Sequence, residues 1–463
     1  MKVGLVLLIG FAQAAFAQSV GQDALASPEE ALRTAETAYE HQQFNQAEQM
    51  LNSILRRFPS MYEPNEMMAL VLTAKGRDEA ANRFFKIAAE VQPNSVTARG
   101  NLAANFASLH QNARAEQEFR QTLRIDPTSY DLNHNFGEFY ISLGKISDAI
   151  PLLKAAQATR PDAYSNGYDL ALAELKNNQL SDAEMQVKTL LKMQTTAELH
   201  ALLGDVYEKE GQFVAAAGEL QCAAQLDPTE DNLFDWAAEL LRHQTNDAAI
   251  EVFTHAVERF PKSWRMQLGL GAALYVQGYS DRASEALSRA IDLDPKDPRA
   301  YFLLSRIANV PPAMCGQIID RFERYVTAEP RDPRAPYYYA LVLLNANGQS
   351  VEGPQAAKIE ALLERALALE PKFADAHLQL GILYSQQERY PDAIRQYKRA
   401  LELNPSLALA HYRLARAMTH SGDKEGGRRE LEVWQRQRAH DEQEQEKQQR
   451  QMLRFIYVGG QVK

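Results

Sequence analysis

Small apolar residues recur along this chain every 34 positions, and bulky apolar residues keep the same clock beside them. One series reads Ala47, Ala81, Ala115, Ala149, Ala183, Ala216, Ala249, Ala283 and Ala393. Twelve residues upstream runs a second: Ala35, Ala69, Ala103, Gly137, Ala171, Gly204, Ala237, Gly271, Ala340, Gly381 and Ala415. Four residues after each member of the first series stands a larger side chain, from Leu51, Phe85, Phe119 and Leu153 to Val187, Leu220, Phe253, Leu287 and Tyr397. Residues four apart on a helix share a face, so each small residue gives a close approach and its partner fills the next layer. Prolines punctuate the pattern at Pro59, Pro93, Pro127, Pro161, Pro228, Pro261, Pro295, Pro330, Pro371 and Pro405. A proline cannot continue a helix, so each marks where one unit stops and the next begins.

Each period therefore predicts two helices of about a dozen residues joined by a short turn, with Gly144, Gly211, Gly278 and Gly422 in that turn. One such pair cannot cover its own apolar face; stacked pairs can. The stretches at 135–161 ("NFGEFYISLGKISDAIPLLKAAQATRP") and 378–405 ("LQLGILYSQQERYPDAIRQYKRALELNP") carry the whole pattern. In this the chain resembles the tetratricopeptide repeat (TPR) family. The expected fold is all-α: a right-handed α-solenoid of about twelve tandem helix-turn-helix repeats with a C-terminal capping helix. Repeats one to eight would occupy 28–297 and irregular repeats nine and ten 298–371. Pro311-Pro312 and Pro336 disturb those two, and a Gly/Ser/Pro-containing turn spans 345–354. Repeats eleven and twelve with the cap would fill 372–441, leaving a polar tail at 442–463.

The first seventeen residues, MKVGLVLLIGFAQAAFA, break this rhythm. One lysine, an apolar run and Ala15-Phe16-Ala17 have the form of a cleaved secretory signal at 1–17, followed by a linker at 18–27. The expected location is the periplasm or the extracellular space, without membrane insertion after cleavage.

Composition narrows the function classes. With 50 Lys+Arg against 60 Asp+Glu the formal charge is −10, which repels phosphate backbones, so nucleic acid is not expected as a partner. Two cysteines, Cys222 and Cys315, do not make a disulfide framework or a four-thiolate zinc site. The ten histidines lack metal-ligand spacing, and exposed polar faces account for His411 and His420. No P-loop, G-x-S-x-G or H-E-x-x-H motif occurs, and the repeats consume the chain. No enzyme, cofactor or metal is expected.

The resemblance implies that the first helices of the pairs line a concave groove that binds peptides. The residue two before the small position would face it, giving Asn101, Asn135 and Asp169, each 34 apart. An asparagine there can both donate to and accept from an extended backbone. Repeats four to seven add Asp131, Glu138, Glu198, Asp205, Glu208, Asp231 and Asp235, against only Lys176, Lys209 and Arg242. Their potentials would attract a basic segment. The expected function is a non-enzymatic, exported protein-protein interaction scaffold that holds an extended partner segment within an envelope, secretion or processing assembly. The alternative is an accessory subunit binding glycan or another small ligand, stacked on Tyr168, Phe234 and Tyr275.

Overall fold

The structure is a computed structural model that describes residues 27–307, 310, 312–347 and 353–437. The expected signal at 1–17 and polar tail at 442–463 lie outside the described residues. Two compact units divide between Gly211 and Gln212.

In the N-terminal unit the helices run α1 (Pro28–Glu40), α2 (Phe44–Arg57), α3 (Tyr62–Ala74), α4 (Asp78–Val91), α5 (Val96–Ser108), α6 (Asn112–Ile125), α7 (Tyr130–Ser142), α8 (Ile146–Thr159), α9 (Tyr164–Lys176), α10 (Leu180–Met193) and α11 (Ala197–Glu210). Odd-numbered helices open a repeat and even-numbered ones close it. Each helix packs on its chain neighbours, and α5 also touches α7, α7 touches α9, and α9 touches α11. The openers thus form a row of their own, which is how a TPR solenoid is built. No strand occurs among the described residues.

The C-terminal unit repeats the scheme: α12 (Phe213–Leu226), α13 (Glu230–Arg242), α14 (Asn246–Arg259), α15 (Trp264–Val276), α16 (Ser280–Leu293), α17 (Pro298–Arg306), α18 (Pro312–Ala328), α19 (Arg334–Asn347), α20 (Gly353–Leu369), α21 (Ala374–Gln386), α22 (Tyr390–Leu403) and α23 (Ala408–His420). A further helix, α24, covers 424–437. In the irregular stretch α17 is only nine residues long, and α18, which begins at Pro312, runs for seventeen. The core nonetheless runs on through this irregular stretch: Tyr301 stacks on Tyr325 with ring centroids 4.0 Å apart and meets Phe322 edge-on. Pro336 sits in the first turn of α19, where a missing N–H costs nothing. The turn expected over 345–354 is narrower, because α19 extends to Asn347 and α20 begins at Gly353.

Local chemistry explains where the helices start. Ser95, Ser129, Thr196, Thr229 and Ser263 cap openers by accepting from the N–H three residues on. The proline carbonyls are claimed too. Asn65, Arg99, Asn133, Tyr301, His377 and His411 each reach back six residues to the carbonyl of Pro59, Pro93, Pro127, Pro295, Pro371 and Pro405. His411 is therefore a strut rather than part of an exposed polar face, and its Nδ1 lies 2.6 Å from Glu430 Oε2. His420 stacks on Tyr390.

Packing follows the two small-residue series. Ala149 and Leu153 are fully buried. A Cβ on Gly137 would lie only 2.6 Å from Leu153 Cδ2, so that opener–closer contact needs the bare backbone. The turn between opener and closer demands a left-handed residue, supplied by Gly76, Gly144, Gly211, Gly278 and Gly422. Gln42, His110, Asn178, Gln244 and Glu388 hold the same conformation in five further turns of this type. The cysteines are not joined in a disulfide, and Cys222 lies in α12, the closer of the sixth repeat.

Candidate functional site

The candidate site is the row of openers α3, α5, α7, α9 and α11 in the N-terminal unit. Asn101 and Asn135 stand on α5 and α7 at the expected register, but they are 0% and 1% exposed. They do not offer an open amide ladder. Neighbouring openers touch directly, so these two side chains are sealed between helices, while Asp169 at the same register stays half-buried. Asn101 Nδ2 donates to Glu66 Oε1 on α3, and the other carboxylate oxygen of Glu66 is buried without a hydrogen-bond partner. Burial pushes the Glu66 carboxyl up to about 7, outweighing the donation from Asn101.

The acidic residues are less exposed to one another than their number suggests. Asp131 is met at 3.5 Å by Arg160, the C-cap residue of α8 in the same repeat. In the C-terminal unit Arg265 approaches both Asp231 at 2.6 Å and Asp235 at 3.9 Å. Arg265 follows Asp231 by one period, so the repeat itself delivers the cation. The expected balance, with only Lys176, Lys209 and Arg242 opposing the acids, omitted these two arginines. Lys209 instead donates to the Leu175 carbonyl, and Arg242 pairs with Glu239. On α11, Glu198 and Asp205 are exposed and Glu208 half-buried. Glu198 and Asp205 stand seven residues apart, which places them on one helix face.

Two of the expected acids do come together. Glu138 on α7 and Asp169 on α9 are half-buried, and they share their space with His134, which is 3% exposed. One ligand atom from each lies within 4.8 Å of the others. His134 Nε2 stands 3.9 Å from Glu138 Oε1, and Glu138 Oε2 is buried without a hydrogen-bond partner. Burial first, then the charge of Asp169, pushes the Glu138 carboxyl up to about 7. Burial also raises Asp169, with the His134 charge acting against it. Behind this group, His134 Nδ1 lies 3.1 Å from Asn166 Oδ1, and Tyr130 stacks on the imidazole at 5.7 Å. This trio was not visible as a unit in the sequence. Its signals are the i, i+4 pair His134/Glu138 and the carboxylate one period after Asn135.

Of the aromatic residues of the glycan alternative, Phe234 is closed to solvent. It is 5% exposed, set edge-on to Phe253 and covered by the Arg265 guanidinium at 4.0 Å. Tyr168 stacks on Tyr164, and Tyr275 is half-buried.

With the repeats and their openers in place, the class of protein is defined. Tetratricopeptide repeat family models match residues 31–60, 106–166, 168–231, 234–298 and 374–407, together more than half of the chain. The chain belongs to the tetratricopeptide repeat family. It is similar to the human protein O-mannosyl-transferase TMTC1, 25% identical over 201 residues, which are 42% of this chain and 23% of that protein. It is also similar to the type IV pilus assembly protein PilF of Pseudomonas aeruginosa, 25% identical over 31% of this chain and 66% of that one. The chain thus spans less than two thirds of either relative. The crystal structure of yeast Tom70 overlaps 94% of this chain and 96% of its own at 14% identity, with a TM-score of 0.39. Among the described residues no helix is long and apolar enough to cross a membrane.

Proposed function

We propose that this protein is an exported, non-catalytic interaction scaffold, and that the openers of its N-terminal unit receive an extended, basic segment of a partner protein within an envelope, secretion or processing assembly. The observation that carries this reading is the excess of acid along that row. Glu138 and Asp169 are half-buried, while Glu198 and Asp205 stand exposed on one face of α11. Such charges add their potentials toward a cationic segment and steer its approach. The pattern at 1–17 supports export, and the pilus assembly relative in Pseudomonas aeruginosa supports an envelope setting. The closed face of Phe234 speaks against glycan stacking as the alternative.

The test is affinity capture from an envelope extract with the full chain, comparing wild type with a combined Glu198→Gln, Asp205→Asn variant. Both positions are exposed, so the variant is expected to keep its helicity and melting temperature. It should lose most of the captured partner at low salt. The wild type should lose it at high salt, since charges more than about 8 Å apart are screened at physiological ionic strength. Capture of the same partners with the same salt dependence by both proteins would contradict the acidic-row reading.

A further inference from the structure

We propose that His134, Glu138 and Asp169 form a binding site for a divalent transition-metal ion of the zinc class, inside the N-terminal unit, at two of the acids that the peptide-binding reading counts along the same row; the metal reading does not rest on that one. The donor set comes first. One imidazole and two carboxylates suit zinc, cobalt or nickel, whereas calcium and magnesium ask for oxygen alone. The spacing fits as well: His134 and Glu138 share a face of α7 one turn apart, and Asp169 reaches the same point from α9.

The histidine is already prepared. Asn166 Nδ2 donates to the Leu153 carbonyl at 2.9 Å and to Gln157 Oε1 at 2.7 Å. Asn166 Oδ1 is therefore turned toward His134 and can only accept, so Nδ1 carries the proton. In the neutral ring this leaves the Nε2 lone pair on the side of the carboxylates, where a metal ion would replace the proton of the charged form. An outer partner that fixes the imidazole tautomer in this way is the usual support of a metal-bound histidine.

The Glu138 carboxylate lacks what a cation would supply. Glu138 Oε2 is buried without a hydrogen-bond partner, and His134 Nε2 lies 3.9 Å from Glu138 Oε1, beyond hydrogen-bond length. A packed interior rarely leaves such atoms unanswered. Tetrahedral zinc with bonds of about 2.0–2.2 Å sets its ligand atoms about 3.4 Å apart. The present ligand atoms lie within 4.8 Å of one another, so each would have to move inward by about 1 Å to reach that size. Three protein ligands leave the fourth position to water or to a group from a partner.

The test uses the untagged full chain, titrated with cobalt(II) by visible absorption and with zinc(II) by calorimetry. The wild type should bind one equivalent saturably, with the absorption of a low-symmetry cobalt site. Glu138→Gln and Asp169→Asn should each weaken that binding by about 100-fold or more. Glu138→Gln replaces a desolvated carboxylate by a neutral isostere, so its melting temperature should not fall, which separates lost ligation from lost folding. Absence of saturable cobalt(II) or zinc(II) binding by the wild type would overturn the proposal. So would equal affinity in the folded Glu138→Gln variant. Saturation by N-acetyl-lysine methylamide where cobalt(II) fails would overturn it in favour of a pocket for a partner's cationic side chain. None of these results bears on the exposed pair Glu198 and Asp205, whose capture assay stands or falls separately.

Discussion

At the scale of single residues, Glu66 shows how the repeat trades solvation for packing. Its side chain is sealed between openers and keeps its proton up to about 7 in the folded state, while in the unfolded chain it ionises near the ordinary carboxylate value. Between those two values the unfolded chain releases a proton that the folded chain retains. Stability from this group is therefore full below the window and falls as pH rises through it. Glu66→Gln keeps an acceptor for Asn101 and removes the titration. Melting curves well above the window should favour the variant by something of the order of 2 kcal/mol. Well below it, the two proteins should melt together. An equal difference at both pH values would show that the effect is packing and not ionisation. Reading such sites from sequence alone has a clear limit. The register of Asn101, Asn135 and Asp169 was visible in the spacing, but their burial was not, because it depends on neighbouring openers closing over them. Arg160 and Arg265 were missed for a similar reason: Arg160 reaches its acid from the far end of the closer in the same repeat, and Arg265 from the next repeat, so each pair meets only after the helices pack.

At the scale of the helix pair, the legible part was the apolar pattern. The small series and the bulky residue four later are what set opener against closer, and the buried Ala149 and Leu153 keep that arrangement. Ala149→Leu should overpack this contact and cost about 1–3 kcal/mol. Hydrogen exchange should then rise in α7 to α10 while α1 and α2 keep their protection, since repeats that share no contacts do not share the strain. Loss of protection across all the helices of the N-terminal unit would contradict a stack of semi-independent pairs. The turns were only half legible. Glycine marks a left-handed turn plainly at Gly144 and Gly278, yet Gln42, His110 and Glu388 adopt the same backbone without announcing it. The struts to the proline carbonyls were hidden too, since asparagine, arginine, tyrosine and histidine all serve there.

At the scale of the molecule, the sequence marks the ninth and tenth repeats as irregular, and the compact units divide elsewhere, between Gly211 and Gln212 among regular repeats. Irregular spacing does not prevent a continuous core: α17 still packs on α16 and α19, and Tyr301 and Tyr325 bridge the shortened pair. The functional claim belongs to this scale, because a row of openers is useful only if several repeats present it together. The most direct test is hydrogen exchange of the full chain with and without the partner recovered by capture. New protection should alternate along the N-terminal unit, appearing in the openers α5, α7, α9 and α11 and sparing the closers α6, α8 and α10. Protection falling instead on the closers would place the partner on the opposite face and contradict the account.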